Sequence, residues 1–248
     1  MNILIPARNG SSRIKSKPLT RILGQPLIKW MAGKALEIKD SQVIVCSDHQ
    51  DIKNSLKGMK VTNTDIIKTY RNGTECALDN IQKKNQPFVV LDCGEIGILP
   101  KSIEKLIEMV SSGSCDIATC VQKITATDMA DINVVKTVLS SNDEVIYLSR
   151  APVPFPKNIE TTVFWKHIGV CCYSSKAVDS FMSAGICDAE KLEGIDLIRA
   201  LNCRLRIKVL KINYEALSLK TPEDIIKAER HLSIERARVG KPITIPRI

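Results

Sequence analysis

The sequence predicts an α/β fold with a mainly parallel twisted sheet, helices on both faces and an antiparallel extension. Three observations predict it. Short apolar runs alternate with segments of helical spacing through the first half of the chain. The 248 residues are 44% hydrophobic, which supplies one large core more readily than two small ones. Beyond about residue 124 the alternation gives way to apolar runs joined by longer connections.

The elements follow in order. Residues 3–5, 43–46, 88–91, 117–121 and 134–139 read as strands. Residues 26–36, 51–56, 75–83 and 102–111 read as helices, the first carrying Leu27, Ile28, Met31, Ala32 and Ala35 on one stripe. Right-handed crossovers then require a mainly parallel sheet covered on both faces. Residues 145–148, 168–173 and 205–210 read as the strands of the extension, and residues 189–201 as one helix. Thr221-Pro222-Glu223-Asp224 is a helix-start signal, with Thr221 as cap and Pro222 first in a helix running to about residue 238. No internal repeat or low-complexity segment is present.

Composition narrows the function. No run of about 18 apolar residues exists, so no membrane span is expected. The chain starts with an apolar run followed by a basic loop, the reverse of a secretory leader, so a cytoplasmic location is expected. Nine cysteines lack zinc-ligand or disulfide spacing and mostly sit in apolar runs, as small hydrophobes do. With a net charge of +9, 4% aromatic residues and no nucleic-acid signature, the chain suits small anionic substrates better than nucleic acid. The three histidines are not spaced for a metal. His49 reads as a cap for the next turn, His231 as a surface residue, and Trp30 and Trp165 as packing residues.

The first strand leads into Ala7-Arg8-Asn9-Gly10-Ser11-Ser12-Arg13, with further cations at Lys15 and Lys17. Ligands of open α/β sheets bind beyond the carboxyl ends of strands. Small residues there admit phosphates, and several fixed cations offset the roughly four charges of a triphosphate. Neither the Walker pattern nor the dinucleotide pattern of glycines is present.

Ordered motifs then extend along most of the chain. They are Ile5-Pro6-Ala7-Arg8 with Ser11, Arg13 and Lys17-Pro18-Leu19; Cys46-Ser47-Asp48-His49; Asn72-Gly73-Thr74-Glu75; Asn133-Val134-Val135-Lys136; Tyr147-Leu148-Ser149-Arg150-Ala151-Pro152-Val153-Pro154; His167-Ile168-Gly169; Ile195-Asp196-Leu197-Ile198-Arg199; and Leu219-Lys220-Thr221-Pro222-Glu223-Asp224. Together they resemble the CMP-Kdo synthetases, the 3-deoxy-manno-octulosonate cytidylyltransferases. The resemblance implies a nucleotide-diphospho-sugar transferase-like, Rossmann-like fold in a single domain over 1–248. Residues 1–124 would form the nucleotide half, 125–220 the sugar and dimerisation part, 221–238 the last helix and 239–248 a tail.

The same resemblance implies a reaction in which a sugar-acid hydroxyl attacks the α-phosphate of CTP, giving a CMP-sugar and pyrophosphate for lipopolysaccharide or cell-surface polysaccharide synthesis. It implies that Arg8, Arg13 and Lys17 grip the triphosphate catalytically. Ala7, Arg8, Asn72, Gly73, Thr74 and Cys93 would contact the nucleotide, and Asn133, Lys136, Arg150, His167 and Asp196 the sugar. A homodimer is implied, with residues 151–173 at the interface; Arg150 could serve there instead. Mg²⁺ is the implied cofactor, held by carboxylates. Here the sequence departs from the family. The family's Gln-Gly-Asp-Glu-Pro falls on Cys93-Gly94-Glu95-Ile96-Gly97, which leaves Glu95, or Asp92 beside it, to hold a metal. The family's second ligand, an aspartate, is Lys220. Three readings remain open on sequence: a working CMP-sugar synthetase, a nucleotidyltransferase for another sugar, and a non-catalytic nucleotide-binding homologue.

Overall fold

The structure, a computed structural model, describes residues 1–8, 14–66, 68–81, 86–157 and 162–239. Ser11, Arg13 and residues 240–248 of the tail therefore lie outside the described residues. The chain runs through β1 (Asn2–Ala7), a 3₁₀ turn at Lys17–Leu19, β2 (Arg21–Ile22), β3 (Gln25–Pro26), α1 (Leu27–Leu36), β4 (Gln42–Ser47), α2 (Gln50–Ser55), β5 (Val61–Asp65) and α3 (Gly73–Asp79). It continues through β6 (Phe88–Leu91), α4 (Pro100–Ser111), β7 (Ile117–Ile124), α5 (Ala126–Met129), β8 (Lys136–Leu139), β9 (Val145–Ser149) and β10 (Phe164–Tyr173). The last elements are α6 (Ser175–Ser183), α7 (Asp188–Glu193), α8 (Leu197–Asn202), β11 (Ile207–Ile212) and α9 (Asp224–Val239).

The main sheet has the order β11-β7-β10-β6-β1-β4-β5, with the β8–β9 hairpin attached through β8 to β10. β4, β1 and β6 pair parallel, as do β4 with β5 and β7 with β11. β10 is the exception. It runs antiparallel between β6 and β7, so of the three strands expected in the extension β10 lies within the sheet, β9 in the hairpin beside it and β11 at the edge, parallel to β7. Strand alternation divides the core into two layers. Ile3, Ile5, Val43 and Val45 pack with α1, α4 and α9 on one face. Leu4, Ile44 and Cys46 pack with α3, α6 and α8 on the other.

Several boundaries differ from the sequence expectation for identifiable reasons. Gly194, at φ 61°, closes α7 and separates it from α8, breaking the single helix expected over 189–201. α9 starts at Asp224, two residues after Pro222, because the Asp224 carboxylate accepts the N–H groups of Lys220 and Thr221 and folds 221–223 into a turn. All nine cysteines are free, as their spacing implied. No helix among the described residues is long and apolar enough to cross a membrane.

Candidate functional site

The carboxyl ends of β1 and β6, the start of α3, the middle of β10 and two later loops converge on a pair of adjoining cavities. The larger, of about 690 Å³, is walled by Pro6, Arg8, Arg71, Asn72, Gly73 and Thr74 on one side, and by Cys171, Glu190 and Lys191 on another. The smaller, of about 210 Å³, is walled by Lys17, Glu95, Asn133, Arg150, Ser218 and Lys220. Asp92, His167, Gly169, Gly194 and Asp196 line both, so the two spaces meet over these five residues.

Local sequence explains the larger cavity. Arg8 leaves β1 and its Nη1 donates to the Tyr70 carbonyl at 2.9 Å, which holds the guanidinium over the start of α3. The Asn72 side chain caps α3 by accepting from the Glu75 N–H at 2.8 Å. Gly73 permits close approach: a Cβ there would lie 3.0 Å from the Pro6 ring. Asn72 and Gly73 thus fix the turn against the end of β1, and Thr74 follows into the cavity wall.

Around the smaller cavity, two loops cross at glycines. A Cβ on Gly94 would stand 2.3 Å from Lys17 Nζ and 2.8 Å from the Leu219 carbonyl oxygen; one on Gly97 would stand 2.2 Å from the Leu217 nitrogen. This crossing sets Lys17 Nζ at 3.0 Å from Asp92, whose same oxygen accepts the Gly94 N–H at 2.6 Å. Burial acts to raise the Asp92 carboxyl pKa, but Lys17, the Gly94 N–H and Lys220 outweigh it and the net shift is downward. Glu95 behaves oppositely. It is buried, and burial dominates, so its carboxyl is raised despite the Ser218 hydroxyl and Lys220. Asp196 is likewise raised by burial, against the Thr74 hydroxyl.

His167 faces both cavities. Its Nε2 shares a hydrogen bond of 2.9 Å with the Thr119 hydroxyl, which also stands 2.8 Å from the Val170 carbonyl oxygen. Burial keeps the His167 ring neutral, with one ring nitrogen protonated and the other not. Burial, and then the charge of Lys220, lower its pKa to about 4. A consequence can be measured. Unfolded histidine titrates near 6.5, so the unfolded chain binds more protons between about pH 4 and 6.5. The stability held above that window falls as pH drops through it. We expect wild type to lose about 1–3 kcal/mol more than His167→Gln between pH 7 and pH 4.5 in urea titrations; equal losses would show that His167 does not titrate this way.

Most of the expected site residues are brought together: Arg8, Asn72, Gly73 and Thr74 at the larger cavity, Lys17, Asn133, Arg150 and Glu95 at the smaller, and Asp92, His167 and Asp196 at both. Three are not. Ala7 is wholly buried, and Cys93 is buried in the core below the loop, so neither side chain meets the cavities. Lys136 is fully buried and its ammonium donates to the carbonyls of Asp131, Val134 and Arg150. It builds the loop that presents Asn133 instead of meeting a ligand. Arg150 does reach the cavity, but its Nε and Nη1 donate to the carbonyls of Glu193 and Ile132 at 2.7 and 2.8 Å. His49 caps α2, its Nδ1 accepting from the Asp51 N–H, as the sequence suggested.

Sequence reasoning missed Arg71, Glu190, Lys191 and Ser218 as wall residues. Glu190 had a faint signal: it sits nine residues before Arg199, which binds it bidentately. Among the described residues no three His, Cys, Asp or Glu gather around a common point as a metal cage would require.

Comparison with known proteins agrees with this architecture. The family described as "Cytidylyltransferase" matches residues 2–216. A 3-deoxy-manno-octulosonate cytidylyltransferase of Bdellovibrio bacteriovorus is 32% identical, over 93% of this chain and 96% of its own length. An 8-amino-3,8-dideoxy-manno-octulosonate cytidylyltransferase of Shewanella baltica is 31% identical, over 95% of this chain and 99% of its own. Among solved structures, a CMP:2-keto-3-deoxy-manno-octonic acid synthetase complexed with CTP superposes with a TM-score of 0.83 at 24% identity, covering 94% of this chain and 98% of that one. The family match over residues 2–216 and the relatives aligned along nearly the whole length agree: the chain belongs to the cytidylyltransferase family.

Proposed function

We propose that the protein transfers the cytidylyl group of CTP to a sugar acid of the 3-deoxy-manno-octulosonate type, releasing pyrophosphate. The observation that carries this reading is the pair of cavities meeting over Asp92, His167, Gly169, Gly194 and Asp196. One offers the Arg8 and Asn72–Thr74 wall for a nucleotide, the other a charged wall for an acid acceptor. The acceptor hydroxyl oxygen bonds to the α-phosphorus while the bond to the bridging oxygen breaks, pyrophosphate leaves and the hydroxyl proton is lost. Arg8 walls the cavity read for the nucleotide, Lys17 borders it through its pair with Asp92 on the shared rim, and Arg13 belongs to the same grip by resemblance.

A divalent ion fits this donor set in one respect. Asp92 and Glu95 both border Gly169, where a Cβ would lie 2.8 Å from Glu95 Oε1 and 3.1 Å from Asp92 Cβ, and both line the smaller cavity. Mg²⁺ is held by one or two carboxylates together with substrate phosphates and water. We therefore propose Glu95 and Asp92 as the residues that would hold one Mg²⁺; it would neutralise phosphate charge. Lys220 stands at the position where the resemblance would put a further ligand, so that position supplies no carboxylate.

Two acceptors are favoured, because the relatives include enzymes named for the 3-deoxy sugar and for its 8-amino form. Either product would serve lipopolysaccharide or cell-surface polysaccharide synthesis, and the reading places the enzyme in the cytoplasm as a homodimer. Phe155 supports a second copy as partner: it is 88% exposed in the segment expected at the interface. The deciding experiment is pyrophosphate release with CTP, Mg²⁺ and each sugar acid in turn. Turnover with one of them is expected. Absence of turnover with both, while CTP still raises the melting temperature, would favour a nucleotide-binding homologue without this activity. Sedimentation of Phe155→Ser as a monomer beside a dimeric wild type would support the dimer.

A further inference from the structure

The smaller cavity contains three cations, and their bonding is unequal. Lys17 is paired with Asp92 at 3.0 Å. Arg150 has its guanidinium turned onto the carbonyls of Glu193, Ile132 and, at 3.5 Å, Gly194. Lys220 gives one ammonium hydrogen to the Asn133 carbonyl at 2.8 Å, a neutral acceptor, and makes no ion pair with a carboxylate among the described residues. Two of its three donors remain for something else.

Its position is fixed at both ends. The Lys220 N–H is held by Asp224 Oδ2 at 2.9 Å, and the ammonium by the loop that Lys136 clamps from beneath. The lysine is therefore a preorganised charge, not a swinging surface side chain. Its field reaches Asp92, Glu95 and His167, which stand around the cavity. Asp92, the carboxylate of this cavity whose pKa is held down, is already paired with Lys17, which leaves Lys220 as the cation free to face an anionic acceptor.

Building on the sugar-acid reading above, we infer that Lys220 is the residue that receives the acceptor's carboxylate and so selects a sugar acid over a neutral sugar. The assignment is to the acceptor and not to the triphosphate, because Lys220 lines the smaller cavity and not the one walled by Arg8 and the Asn72–Thr74 turn. A charge-assisted hydrogen bond in a partly enclosed site contributes roughly tenfold or more in affinity.

The test is calorimetric titration of wild type, Lys220→Met and Lys220→Arg with three probes: CTP, 3-deoxy-manno-octulosonate and the methyl ester of that acid. Methionine keeps most of the aliphatic stem and removes the charge. We expect Lys220→Met to weaken binding of the acid about tenfold or more, to leave CTP binding within about threefold, and to lose the wild-type preference for acid over ester. Lys220→Arg should restore most of that preference. Retained CTP binding shows in the same experiment that the variant is folded. Unchanged affinity of Lys220→Met for the acid would overturn the assignment, as would a tenfold loss confined to CTP, which would place Lys220 on the phosphates. Wild type that binds CTP but neither this acid nor its 8-amino form would overturn the acceptor reading itself, and the assignment with it; that failure is visible before any variant is made.

Discussion

Replacing Arg199 with methionine should lower the stability of the protein by about 3–5 kcal/mol, the cost of stranding buried charges. Arg199 is 2% exposed and its guanidinium is shared by two carboxylates. Nε and Nη2 bind Glu190 at 2.8 and 2.5 Å, and Nη2 also binds Glu75 at 2.7 Å. The guanidinium carbon lies 4.4 Å from the centre of the Phe181 ring. Its pKa is raised, first through the hydrogen bonds to Glu190, so charge loss does not relieve the cluster. Methionine fills part of the volume but leaves Glu190 buried and unpaired. At roughly 2–4 °C per kcal/mol for a chain of this size, the midpoint should fall by about 10 °C. Adding Glu190→Gln and Glu75→Gln should recover part of the loss, because the uncompensated charges are then gone. A loss under about 1 kcal/mol would show that the cluster is hydrated or rearranges.

This cluster is also the link between the two sides of the site. Glu75 follows Thr74 in α3, Glu190 lies in α7, and Arg199 lies in α8 just beyond Asp196. The pair of Glu75 and Arg199 was visible in the sequence as motif positions, but their contact across the fold was not. The same division recurs elsewhere. β1, β4 and β6 were legible because both their faces are buried, which makes each a continuous apolar run. β5 was missed because Val61–Asp65 is an edge strand with no fully buried residue and the polar sequence Val-Thr-Asn-Thr-Asp. The insertion of β10 between β6 and β7 was not legible either, since an apolar run does not state its neighbours. Within the site, Arg8, Asn72, His167 and Asp196 were readable because they sit in motifs that the topology brings to one end of the sheet. Lys136 was misread for a physical reason: three loop carbonyls needed a donor, and that demand exists only once the loop is folded.

Gly94→Ala should reduce turnover by about a hundredfold while leaving most of the fold intact, because it displaces Lys17 and Lys220, two of the three cations of the smaller cavity, by a fraction of a bond length or more. The new methyl would meet Lys17 Nζ at 2.3 Å and Cε at 2.7 Å, and the Leu219 carbonyl oxygen at 2.8 Å. A lysine terminus can swing away at little cost, so the first clash resolves by breaking the pair of Lys17 with Asp92. The second cannot resolve that way. Leu219 is backbone, its N–H donates to the Gly94 carbonyl at 2.7 Å, and it carries Lys220 with it. The methyl thus pushes the 218–220 segment outward, moving Lys220 away from Asn133. Gly97→Ala supplies the contrast. Its methyl would lie 2.2 Å from the Leu217 nitrogen and 3.0 Å from the Ala216 carbonyl carbon, backbone in both cases, with no flexible side chain to absorb the overlap. That variant should show chiefly a stability loss of about 3 kcal/mol or more, read by urea titration. Gly94→Ala, which meets one backbone atom and otherwise the flexible end of Lys17, should lose less stability than Gly97→Ala and show chiefly a lowered kcat with CTP and sugar acid. Were Gly94→Ala to turn over at the wild-type rate, the crossing of the two loops would not be what sets the reacting geometry.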